Sequence, residues 1–404
     1  MKNIKEEFGK FQQWLREHKD NYVQLLAEKP YCIEVKFDNV FGHNLAVFKY
    51  NQIDSDFSQP FVKLCRGLIL DADTFDVVSF PFVKFHNYGE MYADDIDWKS
   101  CYVTEKLDGS IVKVVRLGNE LLISTNSTID AYKAPLMEQI GCKAKSFGEL
   151  IDEAVVNAYK ENHSIANDGF YNPITVDNWF YYLFDEGKTY MFELTSPFNK
   201  IVVPWKEIRL NFLGVRDNST FEETFFGDHP LKDVFNTPKV FPLTSANECI
   251  EAAGKLDSNA EGYVVCDKSF NRIKIKSPLY VAIHHLRGEN GIMSYRRALE
   301  IVKKNEVDEV LTYFPEYKSA FDDLSFKFNA KVKELEDTWN DFISIKNTLL
   351  TRKDQAIWLT SHCKTPGLLF SMLDGKIKSI HDGLYNMPNE NMLKMLGFKT
   401  LSNS

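Results

Sequence analysis

Lys106 lies in Thr104-Glu105-Lys106-Leu107-Asp108-Gly109-Ser110, where a lysine ends one strand pattern and Asp-Gly-Ser leads into the next. The Lys-x-Asp-Gly pattern alone is weak: a chain of this length yields it by chance on the order of 0.1 times. Its bland alternative is a β-turn with a solvated lysine. Downstream residues change the weighting. In Phe192-Glu193-Leu194 the acid points opposite to its apolar neighbours, as alternation along a strand requires. Ala260-Glu261-Gly262-Tyr263-Val264-Val265 opens a buried strand with an acid and a glycine. Arg272-Ile273-Lys274-Ile275-Lys276-Ser277 alternates cation and isoleucine, so the three cations share one face, neighbours roughly 6.5–7 Å apart, a spacing suited to adjacent phosphates. A lysine-bearing edge strand is the bland reading there. Lys376-Ile377-Lys378-Ser379 repeats the letters of 274–277, so only the copy that follows the Glu-Gly-Tyr strand carries weight.

These residues need strands to hold them. Tyr102–Glu105, Ile111–Leu117 and Glu120–Thr125 are β-rich, and Gly118-Asn119 suits a tight hairpin turn. Tyr190–Leu194, Lys200–Val203, Ile208–Val215, Gly262–Cys266 and Arg272–Lys276 also read as strands. Ile4, Phe8, Phe11 and Leu15 recur at helical spacing within residues 1–20, and Met137–Lys160 reads as helix. Beyond Pro278 strand signals fade. Apolar residues at spacings of three and four between Phe321 and Leu349 predict one long helix, its stripe serving as domain core. The turn-rich Arg287-Gly288-Glu289-Asn290-Gly291 suggests a domain boundary.

Composition bounds the rest. With 404 residues, 44% hydrophobic and 26% charged, the chain reads as globular, with two or three domains. No apolar run is long enough for a membrane span, and Met1–Glu7 is too charged for a signal peptide; a cytoplasmic protein is expected. The seven cysteines include no CxxC pair, so reduced thiols are expected. The net charge of −9 excludes a globally basic nucleic-acid coat. Residues 287–404 nonetheless hold 17 Lys+Arg against 16 Asp+Glu, and a local groove can still bind a polyanion.

In that order, Lys106-x-Asp108-Gly109, Glu193, Glu261-Gly262 and Lys274-x-Lys276 resemble the covalent nucleotidyltransferase superfamily of polynucleotide ligases and capping enzymes. Cys65-Arg66-Gly67-Leu68-Ile69, Val83-Lys84-Phe85-His86-Asn87 and the run from Phe192 to Val202 narrow the resemblance to the bacteriophage RNA ligase 1 family. The resemblance implies an α+β protein: an antiparallel-sheet nucleotidyltransferase domain over 1–286, with an N-terminal extension 1–60, then an all-helical C-terminal domain over 287–404 that chooses the RNA. It implies an ATP-dependent RNA ligase that joins 5′-phosphate and 3′-hydroxyl ends through lysine–AMP and RNA–adenylate intermediates, using Mg²⁺ with Mn²⁺ as a substitute. A broken tRNA anticodon loop is the substrate, and a monomer away from membranes the form, that the resemblance suggests. A DNA ligase, a GTP-using capping enzyme and an inactive RNA-binding module are the rivals.

Carried over residue by residue, Lys106 is the nucleophile. Lys274 and Lys276 favour its neutral form and neutralise charge on the α-phosphate and pyrophosphate. Arg66 and Lys84 hold the ATP phosphates. Glu261 is assigned to the metal, and Glu193 to ribose or metal. Gly109 allows close backbone approach, and Asp108 orients either the lysine or the later 3′-hydroxyl. One departure stands out: Asn126 occupies the place where the family usually has a basic residue, and an amide brings no charge. His86 is open between base stacking and filling space. His284-His285 lack a third ligand at zinc spacing. Arg287, Arg296, Arg297, Lys303 and Lys304, with Tyr295 among them, offer either an RNA contact or a solvated helix face.

Overall fold

The computed structural model describes residues 4–52, 54–136, 141–163, 173–199, 202–257, 259–285 and 294–398. It divides into two compact units, Met1–His284 and His285–Ser404. In the first, the N-terminal apolar spacing forms α1 (Ile4–Glu17), which buries Phe8, Phe11 and Leu15. With α2 (Tyr22–Ala27) it covers one face of a sheet ordered β1 (Ile33–Val40), β2 (His43–Tyr50), β3 (Arg66–Asp71), β4 (Val77–Ser79). Phe11 meets Phe48 edge-on at 5.7 Å. Each fully buried phenylalanine of this kind stabilises the fold by about 1.5–3 kcal/mol. The other face, through Val47 and Ile69, packs on Val115 and Leu122 of the next sheet.

Two five-stranded sheets follow. β5 (His86–Asn87) and β6 (Tyr102–Glu105) belong to the third sheet. β7 (Ser110–Leu117), β8 (Glu120–Ser124), β9 (Lys188–Thr195), β10 (Arg209–Asp217) and β11 (Glu223–Phe225) make the second, ordered β11-β10-β9-β7-β8. β12 (Val240–Phe241), β13 (Gly262–Cys266) and β14 (Arg272–Lys276) complete the third, ordered β12-β6-β13-β14-β5. The expected hairpin forms at Gly118-Asn119, where Leu117 pairs with Glu120 and Gly118 adopts φ +58°. α3 (Phe147–His163) and α4 (Pro173–Tyr181) pack on Val112, Val114, Phe192 and Leu194, one face of the second sheet. α5 (Ala246–Ala253) packs through Cys249 and Ala253 on Val103, Val265, Ile273 and Ile275 of the third. Period-two alternation therefore leaves Glu193, Lys274 and Lys276 on the faces these helices do not cover. α6 (Pro278–His285) follows β14.

Two expectations need correction. The helix expected from Met137 begins at Phe147: Pro135 bridges to Ser146, whose hydroxyl then accepts the Glu149 amide, so the chain turns before it coils. Residues 137–140 lie outside the described residues. The strand expected over Lys200–Val203 is a bend at Val202 and Val203, because their amides are taken by a side chain of the site; Lys200 and Ile201 lie outside the described residues. The sheets are antiparallel as expected, with the two-residue β5 running parallel to β14 at one edge.

The second unit is α-helical: α7 (Tyr295–Lys303), α8 (Val307–Tyr313), α9 (Lys318–Ile345), α10 (Arg352–His362), α11 (Gly367–Leu373), α12 (Ile380–Asn386) and α13 (Asn389–Met395). α9 is the long helix the apolar stripe predicts, and it buries Phe321, Leu324, Phe328, Val332, Leu335 and Phe342. Lys303 is buried, its Nζ donating to the Met387 carbonyl (2.7 Å) and Asn389 Oδ1 (2.8 Å). It therefore ties α7 to the α12–α13 turn and leaves the basic surface to which the sequence assigns it. Arg287 lies outside the described residues. No described helix is long and apolar enough to cross a membrane.

Candidate active site

Between the second and third sheets lies a cavity of ≈ 770 Å³, lined among others by Arg66, Lys84, Lys106, Gly109, Asn126, Glu193, Arg272 and Lys274. Small-molecule and cofactor sites span roughly 300–1,000 Å³. Lys106 reaches it because β6 ends there: the Lys106 amide donates to the Gly262 carbonyl at 2.8 Å, which fixes the backbone against β13. Its Nζ lies 2.5 Å from Glu261 Oε2, and Lys276 Nζ lies 3.6 Å from Oε1 of the same carboxylate. Glu261 is buried. The β13–β14 register, Gly262 opposite Lys276 and Val264 opposite Lys274, carries both lysines to the Lys106 side. Gly262 is indispensable to that register. It holds φ +142°, and a Cβ there would stand 2.2 Å from the Ile275 carbonyl oxygen.

Gly109 closes the other side of the nucleophile loop. A Cβ on it would meet the Leu194 carbonyl oxygen at 2.3 Å, so the close approach its sequence context implies is made to β9 itself. Asp108 turns away from the cavity. Its Oδ2 accepts the amides of Val202 (2.9 Å) and Val203 (2.7 Å), and its Oδ1 accepts the Tyr280 hydroxyl (2.9 Å). Trp205 Nε1 donates to the Asp108 carbonyl at 2.7 Å. With these contacts the Asp108 carboxylate anchors the loop that carries Lys106.

Glu193 rises from β9 opposite Ile111 and Asn211 into the cavity. Burial pushes its carboxyl up to about 7, with Lys106 and Arg66 opposing and the Glu261 carboxylate adding to the rise. Arg66 stands at the start of β3, 5.4 Å over the Phe85 ring, and Lys84 Nζ lies 5.2 Å over Phe57 and 3.1 Å from Gln52 Oε1. His86 is buried between Phe57 and Tyr92, its Nδ1 3.1 Å from Glu90. It fills space and shapes the β5 turn. Arg272 shares the face of Lys274, yet Glu223 claims it at 2.6 Å, and the same carboxylate also bonds Arg216.

Two charged groups escaped sequence reading. Burial works to raise the Glu90 carboxyl, yet its hydrogen bonds with His86 and Asn87, and after them the Lys274 charge, hold it low. Lys113 is wholly buried in β7, where an apolar run conceals it, and its Nζ donates to the Gly67 carbonyl. Burial and the Arg66 charge bring it down to about 7. Among the described residues no group of three or more His, Cys, Asp or Glu side chains forms a ready-made metal cage. Mg²⁺ is commonly held by one or two carboxylates together with substrate phosphates. Glu193 and Glu261, two oxygen donors close enough to repel, fit that mode.

The sequence model of the family described as RNA ligase, of the T4 RNA ligase 1 type, matches residues 64–280. A protein of Autographa californica nuclear polyhedrosis virus, described as a bifunctional polynucleotide kinase/RNA ligase, is 30% identical over 74% of this chain. A protein described as an RNA ligase, from Thermovibrio ammonificans, is 26% identical over 62% of it. The match spans 41% of the first relative's length and 61% of the second's. An archaeal ATP-dependent RNA ligase structure superposes with a TM-score of 0.41 at 13% identity, covering 78% of this chain and 79% of that one. The matched span holds the Lys106 loop, both acids and both β14 lysines: the chain belongs to the RNA ligase 1 family.

Proposed function

We propose that the protein is an ATP-dependent RNA ligase that seals a 5′-phosphate to a 3′-hydroxyl, with broken tRNA loops among its substrates. The observation that carries this reading is the placing of Lys106. Its amine stands at the wall of a cavity lined by Arg66, Lys84 and Lys274, with Lys276 and Glu261 beside it. In the first step Nζ attacks the α-phosphorus of ATP. The bond to the bridging oxygen of pyrophosphate breaks, the amine loses a proton, and lysine–AMP remains. The Lys106–Glu261 pair has to open for this attack, and Lys276 gives Glu261 a second partner when Lys106 turns away. Arg66, Lys84 and Lys274 face the charge that grows on the phosphates. A divalent cation bound with ATP, held by Glu261 and Glu193, would add neutralisation at the same oxygens. AMP then passes to the RNA 5′-phosphate, and the 3′-hydroxyl displaces it. The second unit, from His285 onward, would select the RNA; exposed Tyr295 and Arg296 on α7 suit a base and a phosphate.

The test is to supply ATP, Mg²⁺ and 5′-phosphorylated single-stranded RNA, with nicked DNA and GTP as controls. Circular RNA formed with ATP is the expected product. Sealing of DNA only, or labelling by GTP only, would replace this reading with a neighbouring activity.

A further inference from the structure

Lys113 is a buried lysine that meets no counter-charge among the described residues. It is fully enclosed on the β7 face that also carries Ile111 into the cavity wall. Its Nζ bonds a neutral carbonyl, that of Gly67, and among the described residues no carboxylate pairs with it. The charge that acts on it is another cation, Arg66, the residue before Gly67. Two adjacent cations, one of them buried, are costly to a folded protein unless an anion completes the set. The anion has one evident place to arrive, since Arg66 lines the cavity.

The backbone between the two cations is clamped. Gly67 holds φ +79°, and a Cβ on it would lie 2.8 Å from both the Cα and the carbonyl oxygen of Asn126. Lys113 thus holds the Gly67 carbonyl, while the Asn126 backbone leaves no room for a side chain at Gly67. Ser124, the direct cross-strand partner of Lys113, has a buried hydroxyl without a hydrogen-bond partner, as has the Asn126 side-chain oxygen. A charge is missing at Asn126, but a lysine stands close by on the neighbouring strand, joined to it through Gly67.

We propose that Lys113 is a positioning residue for the nucleotide's polyphosphate: it aims Arg66 by holding the Gly67 carbonyl, and it supplies from beneath the wall the positive charge that Asn126 lacks. The inference rests on ATP being the substrate of this cavity.

Lys113→Met, Lys113→Gln and Lys113→Arg separate its parts. Lys113→Gln keeps an N–H for the Gly67 carbonyl and drops the charge. Binding of ATP and of adenosine is measured by calorimetry alongside thermal melts. The methionine and glutamine variants are expected to lose tenfold or more in ATP affinity while adenosine binding holds and the melting temperature does not fall; Lys113→Arg stays within threefold of wild type. Adding Asn126→Lys to the methionine variant is expected to restore most of the lost ATP affinity. Unchanged ATP affinity in Lys113→Met, or equal loss for ATP and adenosine with a lowered melting temperature, would show a merely structural lysine. Should the uncharged variants fail to fold, the wild type decides: with ¹³C-labelled lysines, the Lys113 Cε resonance shifts on adding ATP and not adenosine, and a silent resonance overturns the proposal. A wild type that binds no ATP at all would instead remove the proposed function.

Discussion

At Glu193 an acid is held where its charged form is disfavoured, by burial first and by the Glu261 carboxylate besides. Its folded-state pKa of about 7 stands above the ordinary 4.5, so between those values the folded chain binds more protons than the unfolded one. This contribution to stability is full below about 4.5 and is lost as pH rises through about 7. Glu193→Gln removes the charge. Calorimetric melts should show the variant more stable than wild type by roughly 1–3 kcal/mol at pH 8, with the gap closing toward pH 5. A pH-independent difference would contradict that assignment. The same carboxylate shows what single residues disclose in sequence. Glu193 and Glu261 are legible because an acid interrupts an apolar strand next to recognisable neighbours. Lys113 is not: it is a cation in the otherwise apolar run Ile111–Val115, and only the fold brings Gly67, some 46 positions away, to its ammonium. Asp108 was legible as important and illegible in role, because Val202, Val203 and Tyr280 reach it from far along the chain.

Among the elements, the strands that carry chemistry follow from alternation: β6, β13 and β14 begin and end where the residue pattern puts them. What alternation omits is how sheets are fastened together. Glu223 of β11 accepts from Arg216 on β10 and from Arg272 on β14, so one buried carboxylate joins the second sheet to the third beside the cavity. Breaking such a group by removing one partner strands charge in the interior. Glu223→Ala should cost about 3–5 kcal/mol by denaturant unfolding, whereas an effect under 1 kcal/mol would mean the two arginines find other partners. At β13, Gly262→Ala forces a Cβ into the Ile275 carbonyl and must shift β14. Its expected signature is a loss of AMP uptake of at least a hundredfold, because Lys274 and Lys276 move with that strand. Near wild-type uptake would show that their register is unimportant.

At the scale of the molecule, each of the two units has its own buried centre: the sheets with α1–α5 in the first, and α9 with its neighbours in the second. Removing residues after 290 should leave AMP uptake within about threefold while altering the choice among RNA ends. Unchanged discrimination would detach the helical unit from substrate choice. Its charge was easy to count in sequence and hard to interpret, since Lys303 serves a helix turn and Arg297 pairs with Glu300. The central claim is that the amine of Lys106 becomes bonded to AMP, and one measurement addresses it directly. The protein is incubated with ATP and Mg²⁺, digested, and its peptides are mapped by mass. An AMP adduct on the Lys106 side chain, absent from Lys106→Ala, is the predicted result. An adduct on another lysine, or none while pyrophosphate is still released, would contradict it.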